Sequence, residues 1–417
     1  MSEIVGLNIL ILGYGREGES VYNYLKNNYP NLKIKIADEK NDKNYLKNLR
    51  DCDLVIRSPG VRVNLPQIKK YLDKGGKMTS ATNIFFSICK GKTIGVTGTK
   101  GKSTTASLIY DILKRKYKDV RLVGNIGKPA LDFIANSTEE TIFILELSSF
   151  QLEDLRYSPN LAVILAIYPE HLDYHETFEQ YLSAKTNIIK YQNENDTVIF
   201  NPKNELAKKI AYQSKAKKTP FVQKKFDKTF LTGSGSFDNV LAAFTVGVTL
   251  AVNKDDIKAA IKKFKPLEHR LEFIGEFKGI RFYNDSLATI PEAVINAIEA
   301  LEEDVETLIL GGYDRGLDFS KLGKFLSKKK IKNLILFPTT GTKIWQALLN
   351  SQNSGKLLPT KYEVSSMDKA VKMAFKVTPP GKICLLSPGS SSFGLFKSYQ
   401  ERGNQFKKLV KAFSSNN

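Results

Sequence analysis

Twice near its beginning, the chain places a short apolar run before a glycine-rich turn and a stretch with helical periodicity. The first instance is NILIL, GYGREG and ESVYNYLKNN, and the second is KTIGV, TGTKGKST and TASLIYDILKRKY. A buried strand that leads through a turn into a helix is the repeating unit of parallel α/β sheets. Further apolar runs alternate with helical stretches, so we predict an α/β fold with strands at KIKIAD, TIFILEL, LAVILAI, TLILGG, NLILFP and KICLLSP.

The length of 417 residues exceeds what one ordinary hydrophobic core accommodates, so we expect more than one domain. The apolar runs fall into three sets, with boundaries near residues 91 and 268. We therefore predict three α/β domains, at residues 1–91, 92–267 and 268–417.

The charge balance raises the question of a nucleic-acid partner. The chain has 63 Lys and Arg against 43 Asp and Glu, a formal net charge of +20. Its lysines recur along most of the sequence without a basic helix or an aromatic RNA-binding motif, which favours a surface that attracts anionic nucleotides. We expect no nucleic-acid partner, and a basic nucleotide- or nucleic-acid-binding module without ligase activity is the alternative of another class.

The sequence also bears on the cellular compartment. No apolar run approaches the length that crosses a bilayer, and the first residues lack the basic region and cleavage site of a signal peptide. The three cysteines are far apart and form no CxxC pair, so we expect neither a disulfide framework nor a cysteine zinc site. We predict a cytoplasmic protein that does not insert into membranes.

The first glycine-rich turn has the spacing of a dinucleotide fingerprint. Gly13, Gly15 and Gly18 follow a strand and open a helix, and Asp38 ends the next strand about 20 residues later. Such a turn places a diphosphate at a helix N-terminus, where free backbone N–H groups and the helix dipole favour anions. The alternative is a tight turn that needs glycines and binds nothing.

The second turn, TGTKGKST, departs from a strict Walker A loop because Val96 stands where that pattern has its first glycine. Lys102 can nevertheless reach terminal phosphates, and Ser103 or Thr104 can offer a hydroxyl to Mg2+. A purely structural turn would not need Lys-Ser-Thr at its end, so we interpret this segment as a phosphate-binding loop.

Two further segments carry side chains suited to a metal or phosphate. His171 and His175 stand beside Glu170 and Asp173 shortly after the LAVILAI strand, at the strand end where α/β proteins bind ligands. The usual zinc spacing is absent. Glu146 ends another strand, where a carboxylate suits Mg2+ but could equally serve a helix N-terminus.

Lys185 lies on a predicted helix among apolar neighbours, and the residues alone favour a surface lysine with a partly buried stem. In the last third, four polar or glycine-rich segments follow strands, at residues 268–270, 284–286, 311–319 and 387–396. Each could be an ordinary turn, but together they suggest a cleft built from all three domains.

The order of these segments closely resembles the Mur ligase superfamily over nearly the whole chain. The motifs that carry the resemblance are GYGREG, TGTKGKSTT, GNIG, ELSSFQLE, HLDYH, AK, HR, NDS, GGYDRG, SPGSSSF and ERG. Within the superfamily, ELSSFQLE and the SPGSSSF…ERG segment are similar to those of the glutamate-adding members.

The resemblance implies an ATP-dependent ligase of peptidoglycan precursor synthesis. Its substrates would be ATP, UDP-N-acetylmuramoyl-L-alanine and D-glutamate, joined through an acyl phosphate by a monomer with two Mg2+ ions. The first domain would be Rossmann-like and bind UDP, the central one a P-loop-type ATPase domain, and the last one Rossmann-like and bind the amino acid.

The resemblance also implies a role for individual residues. Implied contacts to the UDP substrate are Gly13, Gly15, Arg16, Glu17, Asp38 and Asn125. Implied contacts to ATP are Gly98, Thr99, Lys100, Gly101, Lys102, Ser103, Thr104, Asn239, Arg270 and Asp285. Implied contacts to glutamate are Thr289, Arg315, Ser392 and Tyr399. The implied catalytic groups are Lys102, Lys185, His171 and Glu146, with Ser103, Glu146, His171 and a CO2-derived carbamate on Lys185 supporting the metal ions.

Three positions depart from the pattern of the family. Leu287 stands where Lys is common, Gly394 where Asp is common, and Gly235-Ser236 where a His-Asn pair is common. A ligase of the same superfamily that adds L-glutamate is therefore the first alternative. The N-terminal GYGREG domain disfavours folylpolyglutamate synthase, and a NAD oxidoreductase would leave the second loop unexplained.

Overall fold

The computed structural model describes residues 6–124, 128–170, 172–222, 237–264, 268–301, 304–351 and 357–415. The chain divides into two compact units, Met1–Phe264 and Lys265–Asn417. Within the described ranges, no helix combines the length and apolarity needed to cross a membrane.

The first unit begins with a four-stranded parallel sheet. Its strands are β1 (Asn8–Leu12), β2 (Lys33–Ala37), β3 (Leu54–Arg57) and β4 (Lys77–Ser80), in the order β2-β1-β3-β4. Its helices are α1 (Arg16–Asn28), α2 (Pro66–Asp73) and α3 (Ala81–Ile88), and a 3-10 helix spans Tyr45–Asp51. The central strand β1 is buried from its second residue onward, as its apolar run requires.

A six-stranded parallel sheet follows in the same unit. Its strands are β5 (Lys92–Thr97), β6 (Val120–Gly124), β7 (Ile142–Glu146), β8 (Leu161–Ile164), β9 (Thr197–Phe200) and β10 (Lys217–Pro220). Its helices are α4 (Lys102–Leu113), α5 (Ser149–Leu152), α6 (Leu172–His175), α7 (Phe178–Thr186), α8 (Glu205–Ala211), α9 (Phe237–Thr249) and α10 (Lys254–Lys263), with a 3-10 helix at Ala130–Phe133. The strand order β10-β9-β8-β5-β7-β6 puts β5, which leads into the second glycine-rich turn, at the centre.

The two sheets of the first unit share a hydrophobic core. Phe85 of α3 packs edge-on against Phe143 of β7, with ring centroids 5.0 Å apart. The same cluster of buried side chains includes Ile11 from the first sheet and Tyr181 from α7. The first sheet is therefore held against one face of the second by apolar burial.

The second unit contains a six-stranded sheet. Its strands are β11 (Glu272–Phe277), β12 (Ile280–Asn284), β13 (Val305–Gly312), β14 (Asn333–Thr339), β15 (Thr360–Glu363) and β16 (Ile383–Leu386), in the order β11-β12-β16-β13-β14-β15. Its helices are α11 (Pro291–Leu301), α12 (Ser320–Leu326), α13 (Thr340–Asn350), α14 (Met367–Val377) and α15 (Tyr399–Ser415). Only the β11–β12 pair of this sheet is antiparallel. The chain runs outward from β13 through β14 to β15 and then returns to β16, which lies on the other side of β13. The connections that follow β13 and β16 therefore leave in opposite directions, and open α/β sheets commonly bind ligands at such a switch point.

All the named apolar runs form the strands that the sequence predicts, and the α/β fold class is confirmed. The described residues form three sheets. The domain boundaries near residues 91 and 268 stay predictions.

Candidate active site

The phosphate-binding loop connects β5 to α4. Gly98 has a backbone φ of 152°, and Gly101, at the helix N-cap, has a φ of 85°. Residues other than glycine rarely adopt either conformation. A Cβ on Gly98 would come within 2.6 Å of the Leu165 Cβ, and a Cβ on Gly101 would collide with the Asn239 amide. The predicted ATP contacts Gly101 and Asn239 are thus adjacent. The loop leads into the N-terminus of α4, and helix N-termini favour anions.

Lys102 is the first residue of α4 and lies over this loop. Its ammonium donates hydrogen bonds to the carbonyl oxygens of Gly98 (3.0 Å) and Thr99 (2.9 Å). Ser103, next along the helix, is buried, and Lys100 is exposed. The lysine charge is therefore held where the loop would bind phosphates.

Lys185 is buried in α7, and the interpretation of this residue as a surface lysine is wrong. It is 1% exposed, its Nζ donates to the Gly98 carbonyl at 2.9 Å, and it lies 4.7 Å from the centre of the Tyr181 ring. Burial, followed by the nearby charge of Lys102, holds the pKa of Lys185 well below its usual value. A buried amine with a lowered pKa is a nucleophile at neutral pH.

Glu146 ends β7 and pairs with Val96 of β5, so it lies at the strand end that leads into the phosphate loop. Its side chain is 3% exposed, and its charge partly offsets the lowering of the Lys185 pKa. Within the described ranges, no group of three or more His, Cys, Asp or Glu side chains is arranged so that protein ligands alone could hold a metal ion. Mg2+ prefers hard oxygen ligands, commonly one or two carboxylates with phosphate oxygens and water, and the Glu146 carboxylate with the Ser103 hydroxyl fits that preference.

His175 packs inside the protein. It is 1% exposed, its Nε2 hydrogen-bonds the Ser149 hydroxyl at 2.9 Å, and its ring packs against Phe150 and Tyr181. The predicted metal ligand His171 and the predicted substrate contact Asn125 lie outside the described residues.

The first glycine-rich turn brings together several residues predicted to bind the UDP substrate. Gly13 has a φ of 87°, and a Cβ there would come within 2.9 Å of the Ser58 Cβ. The Asp38 carboxylate accepts hydrogen bonds from the backbone of Tyr14 (2.5 Å) and Lys40 (2.8 Å). The Tyr14 N–H is the main reason that the pKa of Asp38 is lowered. Asp38 is thus an ionised acceptor beside the turn, and the neighbouring Gly15 and Arg16 are exposed.

Glu17 points away from this turn toward the second sheet. Its Oε1 accepts a hydrogen bond from Gln151 Nε2 at 2.5 Å, and burial raises the pKa of Glu17 to about 7. Glu17 and Gln151 also line a small pocket with Thr82, Gly124 and Pro129. The residue therefore lies between the two sheets of the first unit.

In the second unit, Asp285 follows β12 and is 5% exposed. Its carboxylate accepts hydrogen bonds from the Ser387 hydroxyl (2.8 Å) and the Leu271 N–H (3.1 Å). Burial raises the pKa of Asp285 to about 7, and the charge of Arg270 partly opposes that rise. The structure thus puts the predicted ATP contacts Arg270 and Asp285 close enough to interact.

The predicted glutamate contacts follow β12, β13 and β16 of the same sheet. The Arg315 guanidinium lies 5.2 Å from the centre of the exposed Phe393 ring. Ser392, the neighbour of Phe393, is buried, and Thr289 is half-buried just before α11. Tyr399 begins α15, and its carbonyl accepts a hydrogen bond from the Ser286 hydroxyl at 2.8 Å.

Sequence reasoning missed two buried arginines. Arg402 of the ERG motif donates to the Ser286 carbonyl (2.8 Å) and hydroxyl (3.0 Å) and to the Ser390 carbonyl (3.1 Å), and burial lowers its pKa to about 10. Arg57 is also 1% exposed, at the end of β3. For Arg57 the available signal was a charged residue that directly ends a buried apolar run, LVIR. Arg402 lies within α15 after polar residues and offers no such signal.

Comparison with known protein families agrees with this geometry. A family model for the Mur ligase middle domain matches residues 96–279, and one for the Mur ligase glutamate ligase domain matches residues 269–389. The chain belongs to the Mur ligase family. The predictions of the family, of the fold class and of an ATP-dependent amino-acid ligase are confirmed.

Several relatives match over most of their length. The chain is 35% identical to UDP-N-acetylmuramoylalanine–D-glutamate ligase of Acetivibrio thermocellus, covering 89% of this chain and 85% of the relative. It is 34% identical to the ligase of the same name from Caldicellulosiruptor bescii, covering 98% of each. Among solved structures, MurF ligase from Thermotoga maritima in complex with ADP matches 97% of this chain and 95% of its own, with a TM-score of 0.54 and 18% identity. That similarity concerns the fold.

Proposed function

We propose that this Mur ligase joins D-glutamate to UDP-N-acetylmuramoyl-L-alanine at the expense of ATP, in the synthesis of peptidoglycan precursors in the cytoplasm. The observation that carries the proposal is the convergence of Lys102 and the buried Lys185 on the Gly98 carbonyl of the phosphate loop. The relatives that bear this activity in their name, at 34–35% identity, support the choice of substrates.

The chemistry requires activation of a carboxylate, which is a poor electrophile. The terminal carboxylate of the UDP substrate attacks the γ-phosphorus of ATP, ADP leaves, and an acyl phosphate forms. The amine of glutamate then attacks the acyl carbon, and the tetrahedral intermediate releases phosphate to leave the amide. Lys102 would stabilise the charge that develops on the transferred phosphoryl group.

Mg2+ would neutralise phosphate charge at the same place. We assign one ion to Glu146 and the Ser103 hydroxyl, and a second to His171, each with phosphate oxygens completing the set. The positions of the two described residues support this assignment, since Glu146 ends β7 and Ser103 lies in the first turn of α4.

The buried Lys185 supports a further assignment, a carbamate formed with CO2. A neutral amine attacks the carbon of CO2 and loses a proton, which turns a cation that is costly to bury into an anion. The product would lie beside Lys102 and assist Glu146 at the metal site. The lowered pKa of Lys185 makes the neutral amine available for this step.

We assign the glycine turn of the first sheet and Asp38 to the UDP group, and Arg315, Ser392, Thr289 and Tyr399 to glutamate. A guanidinium binds a carboxylate through two parallel hydrogen bonds, which suits Arg315 to an acidic amino acid. We assign Arg270, Asp285 and Asn239 to ATP. The domain boundaries given above and a monomeric state belong to the same proposal.

L-Glutamate is the second candidate because of two positions in the second unit. Leu287 and Gly394 replace a Lys and an Asp that are common in the family. Gly394 has a φ of 87°, a conformation that also disfavours an aspartate at this position.

The deciding experiment measures phosphate release by the purified protein with ATP, Mg2+ and UDP-N-acetylmuramoyl-L-alanine, comparing D- with L-glutamate. Mass spectrometry follows the UDP-linked product. Turnover with D-glutamate alone, with a matching gain in mass, is the expected result. Turnover with L-glutamate alone would replace the amino acid, and no turnover with either would refute the proposed substrates.

A further inference from the structure

Arg57 and Arg402 are the largest fully buried side chains in the described part of the molecule, and Arg57 joins the two sheets of the first unit. It ends β3, and its guanidinium reaches out of the first sheet into the segment after β7. Nε and Nη2 hold both oxygens of Asp154, at 3.2 and 2.8 Å, and Nη2 also donates to the Phe150 carbonyl at 2.9 Å. A planar guanidinium is suited to such a paired contact in a way that an ammonium is not.

The remaining nitrogen of Arg57 organises the turn after β3. Nη1 donates to the Val61 carbonyl at 2.7 Å and contacts the Tyr174 hydroxyl at 3.3 Å. In the same turn, the Ser58 hydroxyl donates to the Gly13 carbonyl at 2.6 Å. Arg57 therefore fixes the segment on which the first glycine-rich turn rests.

From Tyr174, which contacts Arg57, a series of side-chain contacts continues to the phosphate loop. Tyr174 packs against His175, and His175 packs against Tyr181, with ring centroids 4.9 and 5.5 Å apart. The Tyr181 hydroxyl and the Thr99 hydroxyl are 2.9 Å apart and hydrogen-bonded. A continuous set of packed side chains thus joins Arg57 to Thr99 in the loop.

We infer that Arg57 is a positioning residue for ligation: it sets the placement of the first glycine-rich turn relative to the phosphate loop. The inference rests on the proposed function, in which these two turns hold the two substrates that must react with each other. Each turn has its own local hydrogen bonds, so loss of Arg57 leaves both binding sites formed and shifts one against the other. Misplacement of reacting groups by about 1 Å can lower a rate roughly 100-fold.

The test compares R57K with R121K as a matched control. Arg121 lies in the same unit, holds both oxygens of Asp119 at 2.8 Å, and donates to the carbonyl of Ala135 at 3.0 Å, so it makes the same kind of contacts at β6. We expect R57K to lower kcat roughly 10- to 100-fold with the KM of ATP and of the UDP substrate within about twofold. R121K keeps the wild-type kcat, although both variants lose thermal stability.

The Y174F variant, with Y71F as its matched control, tests the inference independently of whether R57K folds. Y174F removes a hydroxyl that contacts Arg57, Glu153 and the Val61 carbonyl. Y71F removes a hydroxyl that bonds the backbone of Lys77 and the Cys52 side chain, away from Arg57. We expect Y174F to lower kcat by a smaller factor and Y71F to leave it unchanged. A wild-type kcat in both Y174F and R57K would overturn the inference, and so would a loss of kcat in the control variants equal to that in R57K and Y174F. An inactive wild-type protein would instead refute the proposed function.

Discussion

Substitution of Gly101 by alanine tests how tightly the phosphate loop is packed against Asn239. Gly75 provides the matched control, since its φ of 86° is close to the 85° of Gly101 and an added Cβ would meet nothing within 4 Å. The left-handed conformation costs alanine about 1–2 kcal/mol. Alanine also makes the unfolded chain stiffer, which offsets about 0.4–1 kcal/mol of this cost, so we expect G75A to lose roughly 0–1.6 kcal/mol of unfolding free energy.

In G101A the backbone has the same strain and, in addition, the added Cβ collides with the Asn239 side chain. Forcing an extra carbon into a packed site costs about 1–3 kcal/mol, so we expect G101A to lose roughly 1–4.6 kcal/mol of unfolding free energy in total. Displacement of Asn239, a proposed ATP contact, adds a rise in the KM for ATP of about tenfold, equivalent to about 1.4 kcal/mol.

Chemical denaturation and initial-rate kinetics measure the two effects. G75A is expected to show wild-type KM and kcat values with its modest loss of stability. If G101A matched G75A in stability and kept the wild-type KM for ATP, the close contact between Gly101 and Asn239 would have no role in nucleotide binding.

Three other perturbations have defined outcomes. K102A removes the cation proposed to stabilise phosphoryl transfer, so we expect kcat to fall roughly 100- to 1,000-fold in the phosphate-release assay, and full activity would refute the role of the loop. K185A is expected to lose most activity and to regain part of it with added acetate; wild-type rates without the additive would contradict the carbamate. For Glu17, the folded-state pKa of about 7 lies above the unfolded value near 4.5, so its contribution to stability is complete below pH 4.5 and is lost as pH rises through 7. E17Q therefore gains unfolding free energy relative to the wild type between pH 5 and 8, measured by denaturant titration, and a constant difference would contradict the burial of this carboxyl.

Much of the fold was predictable because parallel strands covered on both faces are continuous apolar runs. Strands such as β7 (IFILE) and β13 (VETLILGG) are buried throughout and were visible in the sequence. The edge strands β10 (KKTP) and β15 (TKYE) are mostly exposed and polar, so no apolar pattern distinguishes them from loops. The four-residue helices α5 and α6 are too short for a helical period to appear.

At the candidate site, the predictable residues were those whose role depends on local sequence. Gly98, Gly101 and Lys102 belong to one loop, and their spacing alone indicates phosphate. The burial of Lys185 depends on the Gly98 carbonyl and the Tyr181 ring, and only the first of these is distant in sequence, 87 residues away. The burial of Arg57 also depends on a distant residue, because its partner Asp154 lies 97 residues away in the sequence. Such burial follows from tertiary contacts that composition and periodicity do not encode.

The shared core of the first two sheets restricts how the protein can be recombined. Phe85 and Phe143 pack together across the two sheets, so each is covered by a residue that lies on the other side of the predicted boundary near residue 91. A chimera that exchanged the first sheet for that of a relative would have to import matching side chains at both positions. We therefore expect the N-terminal and central segments to unfold as one cooperative unit, in which a substitution at one of these two positions requires a compensating substitution at the other.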